Sequence, residues 1–297
     1  MKEVKIILMA IVISVLASCG TTSTVPITGR KHKLSVSDEY VLSLSTQQYA
    51  QYMKSAKAST NATNTAMVKR VGQRLATAVE TYLKNNGFAH EVQNFAWEFN
   101  LVQSNEVNAF CMPGGKIVVY EGILPVTKDE ASLAIVLGHE IAHAVAKHSA
   151  EQMTKANNSQ TLVQLGGAVA SAMGVGQTAT QLGTAALSQG LSLLNLKYSR
   201  DNESEADYMG LVFAAMAGYD PQVAVSFWQR MSSGSSNQTA VWMSSHPSDE
   251  KRIADIQRHM PEALSYYKPS GTTTNTAKKS STKATKTVSV SSLKKKK

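Results

Sequence analysis

Residues Val136 to Val145 read V-L-G-H-E-I-A-H-A-V, an H-E-x-x-H pattern inside a long helical run. No other stretch constrains the fold as tightly. On a helix, residues four apart stand one turn above each other, so His139 and His143 face the same way. Two imidazoles at that spacing can hold one Zn²⁺, with Glu140 beside them to take a proton from water. At about 100° per residue, Leu133, Leu137, Ile141 and Ala144 fall roughly opposite the histidines, while Ile135, Ala142 and Ala146 share their side. A helix apolar on both faces is buried, and two histidines and a glutamate in such a helix need a reason. Metal binding supplies one; a pair of hydrogen-bonded core histidines is the plainer alternative. His148 lies about 180° from His139 and is not expected to be a ligand.

Length and composition allow one sizeable globular domain, with 297 residues of which 43% are hydrophobic. The formal charge of +9 belongs to one end. Lys268 to Lys297 carries nine lysines and no acid, and without them basic and acidic residues balance at 21 each. A neutral body of this kind points away from a nucleic-acid partner. The Lys/Ser/Thr-rich tail over 268–297 is expected to be disordered.

At the other end, Lys2 and Lys5 precede an apolar run from Ile6 to Leu16 and then Ala17-Ser18-Cys19. This is a signal peptide over 1–18, too short for a membrane span, which needs about 20 apolar residues. Leu16-Ala17-Ser18-Cys19 resembles a bacterial lipobox, which would make Cys19 a lipidated first residue of the mature protein; an ordinary cleaved signal is the alternative. Gly20 follows, with no Asp to resemble an inner-membrane retention signal, so lipoprotein resemblance implies the outer membrane. Cys111 is then left as a small core residue. Residues 19–36 read as a tether, broken by Pro26 and Gly29.

The body, 37–267, is expected to be α+β and mainly helical. Ser37-Asp38-Glu39 opens one helix, and a second runs from about Thr65 to Lys84 with Gly87 placed to end it. Phe95, Trp97, Phe99 and Leu101 alternate, Val107 to Met112 makes another short run, and Pro113-Gly114-Gly115 turns into Lys116-Ile117-Val118-Val119-Tyr120. These give a small, largely antiparallel sheet beside the histidine helix, whose edge can hold an extended peptide by backbone pairing. Thr127-Lys128-Asp129-Glu130 is a capping-box signature for the start of the histidine helix. From Gln160 to Leu196 the chain is rich in small residues, which suit closely packed helices or a lid over a cleft.

Asp201-Asn202-Glu203-Ser204-Glu205-Ala206-Asp207 begins another helix that runs to Gly218. Glu203 and Asp207 share a face, while Glu205 is turned about 200° away and is expected to be solvated. Acids at a helix start are ordinarily dipole and capping features. The histidine pair still lacks a third ligand, and Glu203 can supply it, with Asp207 on the far nitrogen of a ligating histidine. Asp220-Pro221 opens a further helix, and His246-Pro247 leads into a last one ending near Met260.

These residues together resemble the zinc metallopeptidase family that contains the CAAX prenyl protease (type 1) and bacterial HtpX. The likeness is carried by Asn108-Ala109-Phe110 with Pro113-Gly114-Gly115, by His139-Glu140-x-x-His143, by Glu203-Ser-Glu-Ala-Asp207, and by His246-Pro247 followed by Arg252-Ile253. It implies a gluzincin fold, one Zn²⁺ on His139, His143 and Glu203, and hydrolysis of peptide bonds with Glu140 as base. It implies further that Asn108, Ala109 and Phe110 form the edge strand facing the substrate, and that His246 and Arg252 lie near the metal. His246 would assist the transition state or block the open zinc position. Without spans besides the signal, and without a tetratricopeptide extension, the sequence resembles the compact periplasmic lipoprotein members, so prenyl-protein processing is not carried over. The expectation is an endopeptidase cleaving misfolded or unassembled envelope proteins in the periplasm. The competing class is a chaperone-like assembly factor that works with the outer-membrane protein assembly machinery and binds unfolded chains along its edge strand. A closed, purely structural zinc site is a third reading.

Overall fold

The computed structural model describes residues 21–159, 192–233, 242, 246 and 251–269. The signal segment with Cys19, most of the small-residue stretch over 160–196 and the Lys-rich tail lie outside the described residues. The architecture is α+β and mainly helical, as the sequence predicts.

Two short strands come first, β1 (Thr21–Thr24) and β2 (Lys31–Leu34), paired antiparallel from Thr21↔Leu34 to Thr24↔Lys31. Residues 21–34 of the segment read as a tether thus form a hairpin. Gly29, at φ 69°, makes its turn, and Val25 is buried. The breakers Pro26 and Gly29 were signals of a tight turn here.

Helix α1 (Asp38–Ser55) is capped by Ser37, and α2 (Ala62–Asn85) by Asn61; each cap side chain accepts from a backbone N–H three residues on. Gly87, at φ 86°, ends α2 as expected. The main sheet has the order β3 (Glu98–Val102), β5 (Lys116–Tyr120), β4 (Ala109–Met112). β4 and β5 form the expected antiparallel hairpin through Gly114 and Gly115, but β3 runs parallel to β5, so the sheet is mixed. The central position of β5 follows from its composition: Ile117, Val118 and Val119 are all fully buried, which a strand covered on both faces and both edges requires. Phe95 and Trp97 lie before β3, their rings stacked at 4.6 Å.

A one-turn helix α3 (Leu124–Thr127) precedes the histidine helix α4 (Glu130–Val145). The cap of α4 is Asp129, which accepts from the Ser132 N–H at 2.7 Å, and Thr127 instead closes the preceding turn. The positive φ of Lys128 (68°) separates the two helices. After Ala146 and Lys147 the chain is helical again over 148–159, here α5. Next comes a one-turn 3-10 helix, Leu193–Asn195, which packs on β4. Helices α6 (Arg200–Met216), α7 (Val223–Ser233) and α8 (Arg252–Tyr266) complete the order. The last helix runs past the expected end at Met260, carrying Pro261 inside it.

Among the described elements, α4 packs most extensively against α6. Their backbones touch. A Cβ on Gly138 would stand 2.6 Å from the carbonyl oxygen of Gly210, and a Cβ on Gly210 would stand 2.5 Å from the backbone nitrogen of His139. Glycine inside a helix costs about 0.5–1 kcal/mol against alanine, so both positions are explained by this approach. We expect Gly210→Ala to lower stability in denaturant unfolding by 1 kcal/mol or more, as overpacked cores do by about 1–3 kcal/mol; an unchanged midpoint would count against the contact.

Candidate metal centre

The α4–α6 contact sets the carboxylates of α6 against the imidazoles of α4. His139 and His143 are each 1% exposed and Glu203 2%. His143 Nε2 lies 3.0 Å from His139 Nε2, Glu203 Oε1 lies 3.3 Å from His143 Nε2, and Glu203 Oε2 lies 3.4 Å from His139 Nε2. Zinc bonds of about 2.0–2.1 Å in a tetrahedron give ligand edges of about 3.3–3.4 Å, so these three residues fit one ion. His246 Nδ1 lies 3.3 Å from His139 Nε2 and 3.1 Å from Glu203 Oε1, on the same cluster. The four residues offer one atom each within 4.8 Å of one another, all buried.

Donor chemistry agrees with that geometry. The far nitrogen of His139, Nδ1, donates to Asp207 Oδ1 at 2.8 Å, which leaves a lone pair on Nε2 facing the cluster. Burial alone would lower the His139 pKa, yet hydrogen bonds to Asp207 and Glu203 push it up to about 10. The two carboxylates thus call for positive charge at this point. Glu203 is held far below the usual carboxylate range: burial opposes ionisation, and His139, His143 and His246 outweigh it. Burial keeps His143 neutral, well below its ordinary value. Buried lone pairs and a carboxylate converging this closely suit a cation.

Arg252 holds the acids in place. Its Nε donates to Asp207 Oδ2 at 2.6 Å and its Nη2 to Glu203 Oε2 at 2.8 Å, with the guanidinium 4.1 Å over the Trp228 ring. The Trp242 ring stacks on His246 at 4.3 Å. Glu140 is 2% exposed, its Oε1 lacks a hydrogen-bond partner among the described residues, and His246 Nε2 stands 3.7 Å away. Burial pushes the Glu140 pKa up. Asn108, Ala109 and Phe110 lie at and just before the start of β4, the sheet's outer strand, and line a pocket with Glu140, His246, Tyr198 and Leu193. The Tyr198 ring stacks on His143 at 4.0 Å.

Every site residue named from the sequence within the described residues is thus brought to one place. Two residues behave otherwise than expected. Glu205 is not solvated: its side chain is 8% exposed, and it accepts from Arg30 Nη2 at 2.6 Å and Thr28 Oγ1 at 2.6 Å. His148 stays outside the group of candidate ligands, as expected, but it lies behind His143, with Nδ1 2.8 Å from His143 Nδ1. Helical angles mislead here because α4 ends at Val145 and the chain turns at Ala146 and Lys147, which has φ 56°. The positive φ breaks the projection that put His148 opposite. Gly138 and Gly210 carry no side-chain chemistry to single them out in the sequence, although an isolated glycine in a helical pattern signals a packing need.

Residues 62–260 match the description of peptidase family M48. The chain belongs to that family. M48 members are zinc metallopeptidases, and His139, His143, Glu203 and His246 form a group able to hold a metal ion. The chain is similar to the mitochondrial metalloendopeptidase OMA1 of Schizosaccharomyces pombe, 40% identical over 174 residues that span 58% of this chain and 49% of that protein. Human metalloendopeptidase OMA1 is 31% identical over 249 residues, spanning 80% of this chain and 46% of its own. The beta-barrel assembly-enhancing protease of Escherichia coli is 30% identical over 168 residues, spanning 54% and 34%. The chain spans about half the length, or less, of these curated relatives.

Two expectations follow. Asp207→Asn removes the charge on the far nitrogen of His139 and should weaken zinc binding about 10- to 100-fold in chelator competition. The second concerns Glu151 of α5, which accepts from Arg30 Nη2 at 2.5 Å and pairs with His32 Nδ1 at 2.6 Å. Burial would raise its pKa, but hydrogen bonds from His32, Arg30 and Asn202 pull it down to about 2. A carboxylate depressed on folding stabilises above its unfolded value of about 4.3 and loses that contribution as pH falls toward its folded value. The stability gap between wild type and Glu151→Gln should therefore be widest above that pH and close toward pH 2; a gap independent of pH would argue against the ion pair.

Proposed function

We propose that the chain is a zinc-dependent endopeptidase of the bacterial cell envelope that cleaves misfolded or unassembled envelope proteins in the periplasm. A lipid on Cys19 would hold it to the membrane, the outer one, facing the periplasm. The observation that carries the reading is Glu140, a buried carboxylate whose Oε1 has no hydrogen-bond partner among the described residues, adjacent in sequence to the first of two converging histidines. A buried carboxylate oxygen without a hydrogen bond is costly as structure and useful as a base.

In this reading His139, His143 and Glu203 hold the ion, and Asp207 and Arg252 hold the ligands. Bound zinc supplies Lewis-acid polarisation of the scissile carbonyl and a lowered pKa for the attacking water. Glu140 takes the proton of that water through Oε1 and delivers it to the leaving amine. Its raised pKa brings the base closer to the working pH, which favours both transfers. An extended polypeptide pairs with the edge of β4 that faces away from β5 at Asn108–Phe110, beside Glu140 in the same pocket. His246 Nε2, on the Glu140 side, steadies the oxyanion, a role worth about 2.7–4 kcal/mol for a single donor.

A second reading is favoured by one observation. His246 Nδ1 sits among the ligand atoms, and Leu193, Leu194 and Leu196 line the pocket at β4. A centre closed in this way would suit an assembly factor that holds unfolded outer-membrane proteins and works with their assembly machinery. The name of the Escherichia coli relative supports that setting. Substitution of the base separates the two. Glu140→Gln should bind zinc as wild type does yet lose cleavage by about 10²–10⁴-fold, the usual size of general acid–base assistance. Retained cleavage would sink the Glu140 assignment. Loss of envelope function in a Glu140→Gln strain selects the peptidase, and full complementation selects the assembly factor.

A further inference from the structure

The buried polar groups that this chemistry leaves unused converge behind His143. His148 is fully buried; its Nδ1 lies 2.8 Å from His143 Nδ1 and its Nε2 lies 3.0 Å from Glu205 Oε2. Glu205 in turn receives two N–H groups of Arg30 and the hydroxyl of Thr28, all from the turn and second strand side of the N-terminal hairpin.

Proton bookkeeping along this line has one solution with neutral imidazoles. An ionised carboxylate only accepts, so His148 Nε2 carries a hydrogen. Neutral His148 then has a bare Nδ1, which must accept from His143 Nδ1–H. Neutral His143 is left with its lone pair on Nε2, the atom that faces the cluster. The opposite arrangement, with both His148 nitrogens protonated, would bury an imidazolium and put a hydrogen on His143 Nε2, where no ligand can carry one.

We propose that His148 and Glu205 are positioning residues for the zinc ligand His143, forming a relay that fixes its tautomer and ring plane and that Arg30 of the hairpin clamps from outside. The inference rests on the reading of His139, His143 and Glu203 as the ligand set. The centre then has two matched supports. Asp207 holds the far nitrogen of His139 directly, at 2.8 Å, while Glu205 holds that of His143 at one remove. Both acids come from α6, and an arginine from another element clamps each: Arg252 for Asp207, Arg30 for Glu205. The hairpin before the helical body is thereby part of the metal centre.

The test is zinc affinity of the full chain by chelator competition, with circular dichroism to confirm folding. His148→Leu fills the space without an acceptor and should lower affinity about 10- to 100-fold, the usual effect of losing a partner behind a metal ligand. His148→Asn places an amide oxygen near the former Nδ1 and should recover most of that loss. Glu205→Gln removes the charge at the far end and should cost up to about tenfold. Wild-type affinity in a folded His148→Leu, or equal losses for Leu and Asn, overturns the relay. If His148→Leu does not fold, Glu205→Gln decides, and wild-type affinity there overturns it. A wild-type chain that binds no zinc overturns the ligand assignment itself, an outcome distinct from both.

Discussion

Direct backbone contact between α4 and α6, glycine against glycine, is the constraint on which the rest of the centre depends. Gly138 and Gly210 leave no room for a Cβ at the crossing, so the two helices lie closer than side chains would allow. Only at that separation does Asp207 reach His139 Nδ1 at 2.8 Å while Glu203, one turn away, meets the Nε2 atoms of both histidines. Distances at a metal are fixed to within tenths of an ångström, whereas most helix pairs sit about 8–10 Å apart with side chains between them. The glycines weaken each helix locally, and the fully buried apolar residues of both helices offset that.

A core carrying this much charge follows a pattern. Glu203 and Asp207 are clamped by Arg252, and Glu205 and Glu151 by Arg30. Buried ion pairs are poor sources of net stability, because desolvation offsets most of the attraction. Their return here is geometric. A bidentate guanidinium fixes the planes of the carboxylates, and the carboxylates fix the imidazoles. Against that background Glu140 Oε1 stands out, since it has no hydrogen-bond partner among the described residues while its neighbours are so thoroughly paired.

The hairpin β1–β2 shows how a weak local signal becomes structure. Four-residue strands have no independent stability. Their order comes from contacts far along the chain: Thr28 and Arg30 reach Glu205, and His32 reaches Glu151. Such pairings are invisible to local periodicity, which is why the segment reads as a tether until its partners are in place.

The sequence by itself determined most of the elements and most of the residues that meet at the centre. H-E-x-x-H spacing is a local, helical property, so the facing of His139 and His143 and the place of Glu140 follow from it. The shared face of Glu203 and Asp207 on the later helix offered a third ligand and its support, and the match of four motifs in order extended the reading to His246 and Arg252. Helix starts at Ser37 and the glycine turn before Lys116 were equally legible, because caps and turns are set by a few adjacent residues. Tertiary structure alone decided the parallel pairing of β3 with β5, the crossing at Gly138 and Gly210, and the roles of His148, Glu205 and Arg30. Each of these joins residues distant in the chain or across a break in the helix, where angular projection no longer holds. A buried partner is found by folding, and its residue type alone does not reveal it.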